Sequence, residues 1–290
     1  MIYTIQNECL TVQAEDAGAQ LASIRSAGGE EYLWQGDPAI WARRAPILFP
    51  LIGRLRTGAY WLDGVPYSIS SHGFARDMPF ALADRGADFL TFQLSDTPET
   101  RSVYPFSFSL SVTYRLEHNR LVKIHRVENR SDRDMLYELG AHDGFRVPGP
   151  MAGWTVRLPG LDRAALYGMD QELMITPKGA PVPLRAGGLP LTPSTFGLDT
   201  MILDAPPQHQ AVLTDPQGRP RVAVTAPDFP YLGIWTQDRP YDTGYVCIEP
   251  WSSLPDAVFV GRELSDKAGV RRLSPGQEET LTYTTTIYEV

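Results

Sequence analysis

Proline and glycine interrupt this chain too often for long helices. Its 290 residues hold 25 of each, and few windows between them carry apolar residues at helical spacing. Strict alternation recurs instead. In Phe106-Ser107-Phe108-Ser109-Leu110-Ser111-Val112-Thr113-Tyr114-Arg115-Leu116 the apolar residues fall at every second position, which predicts a strand with one face buried. Glu117-His118-Asn119-Arg120 supplies a turn, and residues 121–129 return as the partner strand. Further strands are expected at residues 10–14, 89–94, 211–214, 221–225, 232–236 and 245–248, and residues 279–290 are rich in Thr, Tyr, Ile and Val. Asp63-Gly64 is a two-residue hairpin signal, and Asp215-Pro216-Gln217-Gly218 reads as another tight turn. Many short strands with frequent turns predict an all-β chain, a large sandwich or barrel.

One domain over residues 1–290 is expected, a size at which large β domains are common. The Pro/Gly-rich residues 177–193 are the best candidate boundary, yet they read as long loops over a continuous core. A net charge of −8 argues against nucleic acid, whose phosphates call for a basic surface. Cys9 and Cys247 are the only cysteines, too few for a disulfide framework or a cysteine-rich metal site. The first residues lack a basic segment followed by a long apolar one, and no apolar run nears the ~18 residues of a membrane span. A cytoplasmic protein without membrane partners is expected.

Three distant segments carry the chemistry: Ser71-His72-Gly73-Phe74-Ala75-Arg76, Gly140-Ala141-His142-Asp143-Gly144-Phe145 and Cys247-Ile248-Glu249-Pro250-Trp251. Each sets a titratable side chain among glycines, prolines and aromatics at the end of a strand-like run. His72 is expected at a strand end, with Gly73 allowing a sharp turn and Phe74 and Arg76 beside it. Asp143 is a candidate to orient His142, although neighbours on a strand point to opposite faces. Glu249 closes an apolar strand, an expensive place for a carboxyl without a partner or a purpose, and Pro250 is expected to end the pairing there. Period two puts Cys247 on the face of Glu249, and with no histidine near it in sequence the thiol reads as packing. His118, His125 and His209 lack such company and read as structural or solvated. Two imidazoles and a carboxylate brought together by folding can move protons on and off a small molecule near neutral pH.

These segments, in this order, resemble the aldose 1-epimerase (galactose mutarotase) family, most closely its LacX-like branch. The likeness covers nearly the whole chain and includes Phe49-Pro50-Leu51-Ile52-Gly53-Arg54-Leu55 and Phe229-Pro230-Tyr231-Leu232-Gly233-Ile234-Trp235-Thr236. It implies a large twisted antiparallel β-sandwich with a cleft on its concave sheet, and an isomerase that interconverts sugar anomers without metal or organic cofactor. By the same resemblance Glu249 is the base at the C1 hydroxyl, His142 the acid at the ring oxygen O5, and His72 a second histidine bonding near O5. Arg54 and Asp199 then bind sugar hydroxyls, with Asp204 as the competing aspartate. Trp235 and Trp251 are candidates to pack on the apolar face of the sugar.

The sequence departs from well-studied galactose mutarotases in having Ala141 where Asn commonly precedes the second histidine, which leaves the choice of sugar open. Arg76 also resembles a feature of hexose-6-phosphate mutarotases, implying a phosphate pocket formed with Arg54 and the Arg43-Arg44 pair. The plain alternative pairs Arg76 with Asp77 or Asp143. Three rivals stand beside the mutarotase: a non-catalytic carbohydrate-binding protein, a metalloenzyme using His72, His142 and Glu249, and a glycosidase pairing Glu249 with Asp199 or Asp256.

Overall fold

A computed structural model of the chain describes residues 1–184, 187–196, 199–237 and 242–289. Two large antiparallel sheets dominate it. The first has nine strands, in spatial order Gly188–Pro190, Thr155–Arg157, Gln210–Thr214, Pro220–Thr225, Glu278–Ile287, Arg120–Asn129, Phe108–Glu117, Phe89–Ser95 and Ala81–Arg85. The second runs Ile175–Lys178, Tyr167–Met169, Met201–Asp204, Tyr231–Trp235, Tyr245–Trp251, Gly140–Ala141 and Ile47–Leu48, with Asp143–Arg146 also paired to Tyr245–Trp251. The described chain is therefore all-β, an antiparallel sandwich, with one α-helix among the described residues at Pro98–Val103. No helix among the described residues is long and apolar enough to cross a membrane.

The predicted alternation is realised where it was clearest. Phe108, Leu110, Val112, Tyr114 and Leu116 are buried in the main core, and the partner strand supplies Leu121 and Val127 from across the ladder. The strand begins at Phe108 rather than Phe106. Asp63 and Gly64 take left-handed conformations (φ 54° and 77°) and join Ala59–Leu62 to Val65–Ser68, as a two-residue hairpin requires. The Pro/Gly-rich stretch is less loop-like than expected, because Gly188–Pro190 pairs into the first sheet and Val182–Pro183 pairs with Arg163–Ala164. Val290, at the end of the last expected strand, lies outside the described residues.

Tyr245–Trp251 positions the site. Val246 and Ile248 join the core between the sheets, so period two sends Tyr245, Cys247, Glu249 and Trp251 to the other face. Pro250 does not end the pairing: the strand continues to Trp251, and Pro250 pairs with Leu232. On its other edge the pairing passes from Ile248–Asp143 to Trp251–Gly140. Pro250 falls where that ladder lapses, so its missing donor costs little. Gly233 faces Glu249 across the adjacent ladder, and a Cβ there would lie 2.8 Å from Cζ2 of Trp251. The bare backbone at Gly233 lets the Trp251 indole approach the sheet closely.

Candidate active site

One cleft on that outer face gathers side chains from segments remote in sequence. His72, His142 and Glu249 all line it, with Arg43, Arg54, Arg76, Asp199, Trp41, Trp235 and Trp251. The three titratable residues predicted to meet do meet. The His142 and His72 rings are 5.7 Å apart between centroids, and His142 Nε2 lies 3.5 Å from Glu249 Oε1.

His72 stands in a tight turn, not at a strand end. Its φ is 64°, in the left-handed region that costs a non-glycine residue about 1–2 kcal/mol. The loop at Gly53 holds it there. The His72 backbone N–H and the Ser71 hydroxyl both donate to the Gly53 carbonyl, and Gly53 N–H donates to His72 Nδ1 at 3.2 Å. Gly73 follows at φ 71°, and any Cβ on it would lie 2.2 Å from the Phe49 carbonyl oxygen. Because Nδ1 accepts, the ring proton sits on Nε2 and the imidazole presents a donor. Burial, then His142 and the arginines of the cleft, hold its pKa well below the usual histidine value.

His142 occupies the single residue between Gly140–Ala141 and Asp143–Arg146. Trp41 stacks on one face of its ring at 5.0 Å, and Trp235 meets it edge-on at 5.4 Å. Burial is the main cause that pushes its pKa down to about 3, and the positive charges of Arg76 and Arg43 act in the same direction. Asp143 does not orient the ring. It points into the sandwich, where it pairs with Lys123 and accepts from the Tyr283 hydroxyl at 3.1 Å.

Glu249 is 1 % exposed, and neither carboxylate oxygen has a hydrogen-bond partner. Burial raises its pKa well above the carboxylate range, the negative charge of Asp199 adds to the rise, and the Trp251 indole opposes it. An unpartnered buried carboxyl of this kind costs free energy unless a ligand completes it. Cys247, also fully buried, lies close by. Folding has brought it a histidine that the sequence spacing did not show.

The remaining predicted residues divide. Trp235 lines the cleft and donates Nε1–H to Asp199 at 2.9 Å. Asp199 lines the cleft and Asp204 does not; Asp204 pairs with Lys178 and accepts from the Tyr167 hydroxyl. Gly197 and Leu198, part of the segment that singled out Asp199, lie outside the described residues. Phe74 is a correction. Its ring packs on Phe49, Tyr104 and Phe108 in the core and does not line the cleft, because the turn at His72-Gly73 sends it inward. Arg44 also faces away, donating to the Gln35 carbonyl near Glu15. Arg76 donates to the Ser71 carbonyl and lies 3.6 Å from Asp77, which also accepts from Arg43. Asp256 accepts from the Arg56 backbone outside the cleft. Trp41 was missed, since its segment has no periodicity and nothing in sequence ties it to His142.

Residues 1–284 match the family model described as aldose 1-epimerase. The chromosomal protein LacX of Lactococcus lactis subsp. lactis is 29% identical over 299 residues, 99% of this chain and 99% of that protein. Among solved structures, a galactose mutarotase related enzyme from Lactobacillus acidophilus is 32% identical, covering 100% of this chain and 98% of that one, with a TM-score of 0.94. A galactose mutarotase-like protein from Lactobacillus casei is 29% identical, covering 99% of this chain and 100% of that one, with a TM-score of 0.90.

Proposed function

The chain belongs to the aldose 1-epimerase family, in its LacX-like branch, and is an isomerase of sugar anomers; from that premise we propose that Glu249 and His142 carry the protons and that His72 assists. The observation that carries this reading is the buried Glu249 carboxylate, free of hydrogen bonds and 3.5 Å from His142. With a hexose bound, Glu249 takes the proton of the C1 hydroxyl while the C1–O5 bond breaks and C1 becomes a carbonyl. His142 gives its proton to O5 in the same step. Nε2–H of His72 donates a hydrogen bond near O5. Rotation about C1–C2 and reversal of both transfers closes the ring on the other carbonyl face.

The electrostatics set the strength of both groups. Burial raises the Glu249 pKa and lowers that of His142, so the ionised glutamate is a strong base and the imidazolium a strong acid. With one proton on the pair the resting form is carboxylic acid and neutral imidazole, and ring opening begins from the less populated glutamate–imidazolium arrangement. It ends with one proton on the pair, held as carboxylic acid and neutral imidazole, the form a buried site prefers. Both steps therefore need only the protons already present. Anomer exchange measured by NMR on glucose and galactose tests the proposal, and rates equal to those in buffer for every aldose tried would overturn it.

A second reading concerns the substrate. Arg43, Arg54 and Arg76 line one cleft, and the Arg54 side chain has no hydrogen bond or ion pair among the described residues. A planar fork of donors suits phosphate, so a sugar phosphate fits the arginine side while the ring lies over Glu249. That reading requires kcat/KM for glucose 6-phosphate to exceed that for glucose and to fall with added salt.

A further inference from the structure

Among the described residues, His142, Cys247 and Glu249 form the group of histidine, cysteine and acidic side chains placed to share a metal ion. One ligand atom from each lies within 4.8 Å of the other two. We propose that one divalent cation of the zinc class binds where the cleft meets the sheet beneath it, through His142 Nε2 and a Glu249 oxygen from the cleft wall and the buried Cys247 Sγ, and that the bound cation stops mutarotation.

Spacing and chemistry both point to this. Zinc bonds of about 2.0–2.3 Å at tetrahedral angles put a nitrogen and an oxygen ligand about 3.3 Å apart. His142 Nε2 and Glu249 Oε1 are 3.5 Å apart already. The thiol then needs to close by about 1 Å at most, against the roughly 3.6 Å of a tetrahedral sulfur–nitrogen pair. One imidazole, one thiolate and one carboxylate suit zinc or cobalt, whereas calcium and magnesium call for six or more oxygens or water. No hydrogen bond to the carboxylate has to break, since neither Glu249 oxygen makes one, and the contact with His142 is between two of the ligands themselves. On binding, Cys247 gives its thiol proton to solvent, and thiolate plus carboxylate balance the two positive charges. Three protein ligands leave a fourth position for water or a sugar hydroxyl.

A cation there occupies the base's lone pair and the acid's nitrogen together. The inhibition rests on the proton-carrier roles proposed above; the binding does not. Cobalt(II) titration separates the two, because a thiolate ligand gives a near-ultraviolet charge-transfer band. The chain has two cysteines, so a band that saturates at one equivalent and survives in Cys9→Ser belongs to Cys247. It is expected to vanish in Cys247→Ser, or in Cys247→Ala where the serine variant does not fold. Excess zinc should displace the cobalt and cut mutarotation by about 10²-fold or more, the size of a positioned acid or base, with recovery on adding chelator. No thiolate band, or one lost in Cys9→Ser, overturns the site. A Cys247 band with mutarotation unchanged overturns the inhibition, and with it the assignment of Glu249 and His142, while the metal site stands.

Discussion

Two buried carboxylates lie on neighbouring strands, on opposite faces of one sheet, and differ in the company they keep. Asp143, opposite Ile248 in the ladder, faces the sandwich interior with Lys123 beside it and the Tyr283 hydroxyl donating to it; Lys123 also donates to Thr285 at 2.8 Å. Glu249, the residue after Ile248, faces the cleft with no hydrogen bond on either oxygen and only His142, 3.5 Å away, as a possible counter-ion. Burial is alike and completion is not. A buried charge that is satisfied holds a fold together when disturbed singly, and one left unsatisfied is available to a ligand. Single substitutions at the two positions should therefore damage different properties.

The largest effect is expected at Glu249. Glu249→Gln keeps the shape and removes the base, so kcat/KM for anomer exchange should fall about 10²–10⁴-fold. Stability should hold or rise. The folded pKa of Glu249 is raised, so its contribution is complete below pH 4.5 and declines as pH climbs above that value, where the unfolded chain ionises more readily. The amide removes this decline, and thermal melting at pH 7 should show an equal or higher midpoint. Near-native turnover would break the assignment.

Asp143→Asn should do the reverse. Losing one partner of a buried pair costs about 3–5 kcal/mol, because Lys123 must stay charged without a counter-ion or shed its proton. Denaturant titration measures the loss. Replacing Lys123 and Asp143 together by apolar residues should recover much of it, and the folded fraction should keep its turnover. A single variant as stable as the parent would show that the pair adds nothing.

The contrast was only partly legible in the sequence. Alternation placed the strands, and the titratable residues of the three segments were found because glycine and aromatic neighbours are unusual around buried ionisable groups. What the sequence hid depends on which edge of a strand is paired. Pro250 reads as a stop, yet its strand continues because the ladder lapses beside it. Phe74 reads as a neighbour of the site, yet two consecutive left-handed residues turn it into the core. Trp41 and the Lys123 partner of Asp143 reach their places through long-range contacts with no local pattern; Cys247 was placed beside Glu249 by period two, but its closeness to His142 was not.

Two histidines extend the comparison to pH. His142 in the cleft and His125, stacked on Tyr283 inside the sandwich, are both held down from 6.5 to about 3, chiefly by burial. Between those values the unfolded chain binds protons that the native state refuses. Stability is therefore complete above pH 6.5 and is lost as pH falls through the window, by up to about 1.4 kcal/mol per pH unit for each histidine. His125→Gln and His142→Gln should flatten that slope about equally, and only His142→Gln should slow mutarotation. Equal activity in the two variants would erase the distinction between interior and cleft.

The smallest effect separates two aspartates near the rim. Asp199 accepts from Trp235 Nε1 and borders the cleft, whereas Asp204 is engaged by Lys178 and Tyr167 outside it. Asp199→Asn keeps an oxygen for the indole but loses the charge that strengthens bonds to sugar hydroxyls, a difference of about 1 kcal/mol that should raise KM several-fold and leave kcat little changed. Asp204→Asn should move neither. Because Asp199 also raises the Glu249 pKa, its removal should shift the basic group of the kcat profile towards acid, a displacement that Asp204→Asn should lack. A profile unmoved in Asp199→Asn would mean that the two carboxylates of the cleft act independently, leaving burial as the main influence on Glu249.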